Sequence, residues 1–356
     1  MSRPNGATWG AWAAIRPRVA LYPVLGGLLL AALLLNVGMG AVQSAPDQVV
    51  AILLDRLGIH AGIDFTVQQE NVLWSIRLPR VALAMIVGAG LAMSGAALQG
   101  IFRNPLADPG LIGVSSGAAV GAIALIILGT APLGWASQPL AAFAGALAMT
   151  LAVYVLSRNG GRTEVVTLIL TGVAMNAIAG SAIGLMNFVA TDAQLRNIVF
   201  WTMGGLGGAT WDVVLPVGLF SCLGMVGLWR HARALNLLVL GEREAYHLGV
   251  STERVRLRVI AFATLVAGCA VAASGIVGFV GLVVPHLLRL IAGPDHRTLL
   301  PASALGGATL VLGADLVART VVMPAELPLG IVTALAGGPY FLWLLRRTRA
   351  AQGGWA

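Results

Sequence analysis

The chain contains no lysine: all 22 of its basic residues are arginines. A phosphate-binding loop of the Walker type needs a lysine to reach the nucleotide phosphates, so ATP hydrolysis by that route is excluded. Charge of either sign is thin, at 10% of residues. A carrier driven by protons or sodium needs ionisable groups at membrane mid-depth. Here Asp192, Asp212, Glu242, Glu244 and Glu326 all fall at the ends of apolar runs or between them, which argues against a proton-coupled carrier. Asp315 and Arg319, four residues apart, fit one helix face and can pair near the end of their run. Cysteine is confined to Cys222 and Cys269, each alone in an apolar stretch, which excludes a disulfide framework and a thiolate metal site. His60, His231, His247, His286 and His296 are scattered and none begins an HExxH motif. The composition offers neither a catalytic residue nor a metal site.

What the chain does have is apolar surface. Over 356 residues, 58% are hydrophobic and the mean hydropathy is +0.88, more than one soluble core can hide. Runs of spanning length fall at 19–41, 81–102, 111–130, 138–157, 165–190, 213–229, 256–274, 276–292, 299–318 and 327–345. Ten-residue alternating strands of a membrane barrel are not visible. The expected fold class is all-α: one polytopic integral membrane domain over 1–356 with about ten transmembrane helices. Ten spans place both termini on one side. With that side cytoplasmic, only Arg56, Arg77, Arg80, Arg196 and Arg319 lie outside and the other 17 arginines lie inside. The net charge of +8 is then a topology signal, and nucleic acid is not an expected partner. The N-terminal run resembles a secretory signal, but an uncleaved first helix behind a cytoplasmic arm at 1–18 keeps the span count even.

Small residues recur every fourth position at Gly88, Ala92, Ala96 and Gly100, and again at Gly113, Gly117 and Gly121, which predicts closely packed helix faces. Two polar regions are long enough for partners. Residues 42–80 read as an outer loop with a short helix near Pro46–Leu57, ending in "WSIRLPR". Pro79 disfavours helix at Leu78, so Arg77 and Arg80 are expected to flank a bend, exposed for bidentate pairing with carboxylates or lipid headgroups. Residues 230–258 read as two short cytoplasmic helices with a leucine stripe, Gly241 and Gly249 as terminators and Ser251 as a cap. Between two apolar runs stands "FRNPLADPGLIG". There Pro105 forces Asn104 out of helix, and Asp108 with Pro109 starts the next one.

"IRLPR" at 76–80, "FRNPLADPGLIGVSSGAA" at 102–119, "WTMGGLGG" at 201–208, "LGEREAYHLG" at 240–249, "GFVGLVVPHLLRL" at 278–290 and "AELPLGIVTALAGGPYF" at 325–341 appear in order. In these motifs the chain resembles the permease subunits of bacterial type II ABC importers, the FecCD-like family that takes up haem, ferric siderophores and cobalamin. The resemblance implies a multi-pass inner-membrane homodimer with a pathway on the two-fold axis, two cytoplasmic ATPase subunits and one periplasmic binding protein. ATP and magnesium would act on the ATPase partners, with no cofactor on this chain. It further implies that Arg77, Arg80 and Arg319 dock the binding protein, that Asn104, Pro105 and Leu106 narrow a cytoplasmic gate, and that Gly241, Glu242, Ala245, Leu248 and Gly249 seat in the ATPase. Met175, Asn176, Ser181, Met186 and Asn187 lie on the span that would line the pathway, where helix packing is an equal reading of each. The wording at 102–119 is nearest to haem importers. No histidine lies in that span to hold haem iron, so haem would pass by shape.

Overall fold

In the computed structural model, residues 8–40, 45–60, 62–160 and 162–351 are described. The chain begins with α1 (Thr8–Gly38), so helix starts well inside the arm expected at 1–18, whose first seven residues lie outside the described set. The region expected as an outer loop at 42–80 is largely helical: α2 (Pro46–Asp55) and α3 (Val67–Val72), then a π turn (Leu73–Arg77) that runs straight into α4 (Leu78–Phe102). Its residues 42–44 and 61 lie outside the described set. Apolar helix is continuous from Val67 to Phe102. The expected bend at Leu78 is absent, because the preceding π turn widens the helix where Pro79 has no N–H to give and Leu78 keeps helical torsions.

After a crossing at 103–113 that is irregular except for a 3₁₀ turn at Pro109–Ile112 come α5 (Val114–Leu128) and α6 (Ser137–Leu156). A two-residue antiparallel pairing of β1 (Arg158–Asn159) with β2 (Arg162–Thr163) leads into α7 (Val165–Val189) and α8 (Asp192–Met203). Then follow α9 (Trp211–Arg230), the short α10 (Ala232–Leu240) and α11 (Glu242–His247), and α12 (Thr252–Ser274), α13 (Val280–Ala292), α14 (His296–Thr320) and α15 (Leu329–Ala351). Among the described residues seven helices have the length and hydropathy to span a membrane. Three shorter apolar ones, Val114–Leu128, Val280–Ala292 and Leu329–Trp343, stand where the third, eighth and tenth runs were expected.

The bundle is centred on α4, which is buried along most of its length between α12, α13 and α14. The expected small-residue stripe explains why. A methyl group built on Gly88 would lie 2.2 Å from the Gly307 carbonyl oxygen of α14, so the two backbones touch. Lipid gives helices no hydrophobic reason to associate, and such close approach supplies dispersion contact in its place. Between α12 and α13 the backbone at 275–279 is non-helical and enters the bundle, with Gly275 and Val277 buried. Irregular backbone is tolerated at depth only where protein covers it, and this stretch lies against the 203–205 turn and the start of α15.

The bundle therefore has two ends. The α2 end gathers α2, α3, α8 and the turn at 321–328; the α11 end gathers the 103–113 crossing, β1–β2, α10 and α11.

Candidate functional site

Three regions carry the expected functional residues. At the α2 end, Arg77, Arg80 and Arg319 come together but are not free cations. Arg77 is only 5% exposed and donates to the Val37 carbonyl at 2.7 Å. Arg319 donates to the Met39 carbonyl at 2.8 Å and to the Asn36 carbonyl at 2.6 Å, so two arginines satisfy the last carbonyls of α1. Arg80 is a double fork. Its Nε and Nη2 bond the buried Asp315 at 2.8–3.1 Å, and its Nη1 and Nη2 bond Glu326 at 2.9 Å each. The Asp315–Arg319 pair foreseen at four-residue spacing is present at 3.7 Å, but Arg80 is the closer partner of Asp315. The expectation of exposed arginines is corrected: a guanidinium beside helix-end carbonyls and a buried carboxylate gains more from them than from water. Glu326, with its side chain 49% exposed, is the open edge of the cluster. A cavity of about 570 Å³ adjoins it, walled by Trp135, Phe200, Trp201 and the glycine-rich 204–208 turn, with Arg80 and Asp315 at its polar pole.

At the opposite end, the 103–113 crossing turns as its sequence requires. Arg103 adopts a left-handed conformation and ends α4. Asn104 Oδ1 accepts from the Leu106 N–H at 2.9 Å, holding Pro105 and Leu106 in a side-chain-closed turn. Leu106 packs beside Leu282, His286, Tyr340 and Phe341. Asp108 accepts from the Gly110 N–H at 2.8 Å and faces Gly281 in the first turn of α13. Burial pushes its carboxyl above the ordinary carboxylate range, against the lowering effect of that N–H.

The third region pairs α7 with the α10–α11 knob. On α7 the five named residues separate by face. Asn176 donates to the Gly110 carbonyl at 3.0 Å and accepts from the Ser116 hydroxyl, tying α7 to the crossing and to α5. Met175 and Met186 pack inward against the core, and Asn187 has its Oδ1 buried. Only Ser181 stands on the exposed face, with its hydroxyl turned back to the Ala177 carbonyl. That face continues through Leu170, Val173, Ala177, Gly184 and Phe188, whereas Met175, Asn176, Met186 and Asn187 are half-buried against neighbouring helices. The signal that sequence reasoning missed was this run of small and apolar positions one helical turn apart.

On the knob, Gly241 and Gly249 break the chain with positive φ as expected, whereas Ser251 makes no side-chain cap bond. Ala245 is fully buried and Leu248 is 59% exposed beside Val239, Leu240 and Tyr246. Glu242 pairs with Arg256 of α12. Leu248 is therefore surface, while Ala245 and Glu242 anchor the knob to the bundle.

The FecCD transport family model matches residues 28–347. The hemin transport system permease protein HmuU of Yersinia pestis is 49% identical over 286 residues, covering 79% of this chain and 84% of that protein. The cobalamin import system permease protein BtuC of Halobacterium salinarum is 46% identical, covering 78% and 74%. The vitamin B12 import system permease protein BtuC of Escherichia coli is 42% identical, covering 82% and 88%. Among solved structures, an inward-facing metal-chelate type ABC transporter superposes with a TM-score of 0.81 at 34% identity over 92% of this chain and 98% of that one.

Proposed function

The chain belongs to the FecCD transport family and is an ABC importer permease of that type, without a catalytic site of its own; from that premise we propose that its cargo is haem. The observation that carries the cargo is the 49% identity with a hemin permease. The α7 face is compatible with it: a flat apolar ring passes over small and apolar positions without being trapped by a strong ligand. Cobalamin is the second reading, favoured by the 46% and 42% identities with two cobalamin permeases. A ferric siderophore is the third.

Two copies form the pathway, with α7 of each facing the axis. Two ATPase subunits, which hold ATP and magnesium, take the α10–α11 knobs into their clefts, and ATP-driven closure alternates access. Asn104, Pro105 and Leu106 narrow the inner mouth. A periplasmic binding protein docks at the α2 end through the Arg80 cluster. Arg77 and Arg319 brace that cluster from below, and an acidic side chain on the binding protein competes with Glu326 for the outer fork of Arg80. Both termini lie in the cytoplasm of a bacterial cell, with the protein in the inner membrane.

The test is reconstitution of the whole complex in proteoliposomes, with hemin, a ferric hydroxamate siderophore and cobalamin offered separately. Hemin alone is expected to accumulate in an ATP-dependent way. Uptake of cobalamin and not hemin overturns the cargo, and no ATP-dependent uptake of any of the three overturns the importer reading.

A further inference from the structure

A charged cluster at the α11 end lies beyond the gate and the knob surface. Arg256, in the first turns of α12, has a side chain only 5% exposed. Its Nη1 donates to the Thr163 carbonyl and, at 3.1 Å, to Glu253 Oε2, while Nη2 donates to Glu242 Oε1. Glu253 in turn accepts from the Thr163 N–H at 3.1 Å, the Thr163 hydroxyl at 2.6 Å and the Tyr154 phenol at 2.8 Å. These partners sit on different elements: Glu242 opens α11, Tyr154 is near the end of α6, and Thr163 closes β2 two residues before α7 begins at Val165.

A buried ion cluster is a poor device for stability alone, since apolar side chains of the same volume often serve as well or better. What a planar guanidinium does supply is fixed geometry: its fork ties several acceptors into one orientation. Here it ties the start of α11 to the start of α7. Glu242 has its side chain 49% exposed, so the α11 arm of the fork lies at the surface, whereas Thr163 is buried at the other arm. A push on α11 therefore reaches Arg256 first and Thr163 next, by a path shorter than the backbone route back through α10, α9 and α8.

We propose that Arg256 is the relay between the knob and α7, a positioning residue that carries displacement of α11 into the helix lining the pathway. Glu253 is its anchor on the β2 side. This relay rests on the importer reading above.

The test uses the complete complex in proteoliposomes with hemin as probe, in a Cys222→Ser background. Arg256→Met is expected to leave ATP hydrolysis running while uptake per ATP falls about ten-fold, within the range for residues that carry coupling between sites. Uptake is measured on unlabelled protein with Ser181 intact, and in a separate sample a spin label at Ser181→Cys on the exposed face of α7 supplies a readout that a purely structural role would not move. The distance between the two labels is expected to change on ATP addition in the parent and to stay fixed with Arg256→Met. A variant with parent-like uptake per ATP and a parent-like distance change overturns the relay. If Arg256→Met fails to assemble, the isosteric Glu253→Gln decides: a reduced uptake per ATP upholds the relay, and an unchanged one overturns it. A parent complex without ATP-dependent uptake overturns the importer reading and the relay together, which separates that failure from failure of the relay alone.

Discussion

Asp108 shows how a single residue serves two demands at once. Its side chain must accept the Gly110 N–H to start the 3₁₀ turn Pro109–Ile112 within the 103–113 crossing, and an aspartate does this from the position just before that turn. The same position is packed against the first turn of α13, so the carboxylate loses water and its pKa rises above the ordinary 3.8. A folded-state pKa above the unfolded one means that the folded chain holds the proton more tightly. That contribution to stability is complete below pH 3.8 and is lost as pH rises through the folded value, so at neutral pH the charge is a cost. Asp108→Asn keeps an oxygen for the Gly110 N–H and removes the charge. Its unfolding midpoint in detergent at pH 7 is expected to rise by on the order of 2 °C, and the gain should shrink as the pH approaches that of acid solution. A midpoint that drops at pH 7 would mean that the first turn of α13 stabilises the carboxylate more than burial costs it.

At the scale of elements, α7 makes the sharpest distinction. Asn176 and Ser181 are five residues apart on one helix and carry similar polarity, yet one is a strut and the other lies on the open face. Asn176→Leu removes both ties of α7 to the crossing and α5, leaving the Ser116 hydroxyl only the Gly113 carbonyl and the Gly110 carbonyl only the Gly113 N–H, and loss of the two hydrogen bonds is expected to destabilise by about 1–3 kcal/mol in a thermal melt. Ser181→Leu is expected to leave the melt unchanged and to narrow the pathway, lowering uptake. Equal melting losses for the two would remove the distinction. Hydrophobic patterning did not separate them, because a membrane helix is apolar around its whole circumference and its moment points nowhere. The helices themselves were legible for the complementary reason: long apolar runs, glycine stripes and proline punctuation are local signals. Pro79 misled only because the π turn before it depends on the continuous helix around it, and the covered arginines misled because their partners are distant in sequence: an α1 carbonyl 40 residues away for Arg77, and the carboxylates of Asp315 and Glu326, 235 and 246 residues away, for Arg80. The motif residues themselves stood in plain sight. What the sequence withheld was which of their faces other elements would cover.

The whole molecule carries a charge asymmetry that supports the orientation proposed above, with the α11 end cytoplasmic. The α11 end bears the exposed Arg103, Arg230 and Arg243, whereas at the α2 end Arg77, Arg80 and Arg319 are neutralised or covered by Asp315, Glu326 and the α1 carbonyls. Translocating a free arginine is costly, and a positive loop is retained on the cytoplasmic side. The internal pairing at the α2 end thus covers three of its five arginines and leaves Arg196 exposed and Arg56 paired with Glu70, which favours export of that end. Leu57 beyond α2 and Leu248 beyond α11 are 76% and 59% exposed and mark the two ends. With Cys222→Ser as background and Cys269 buried, single cysteines at these sites can be labelled by a membrane-impermeant maleimide in ATPase-free cells. Leu57→Cys is expected to react in intact spheroplasts, and Leu248→Cys only after permeabilisation. The reverse pattern would invert the protein and place the knob where no ATPase could reach it. Labelling of both from outside would make the number of crossings between them even, and at least one of the helices between α2 and α11 would then have to lie along the membrane instead of crossing it.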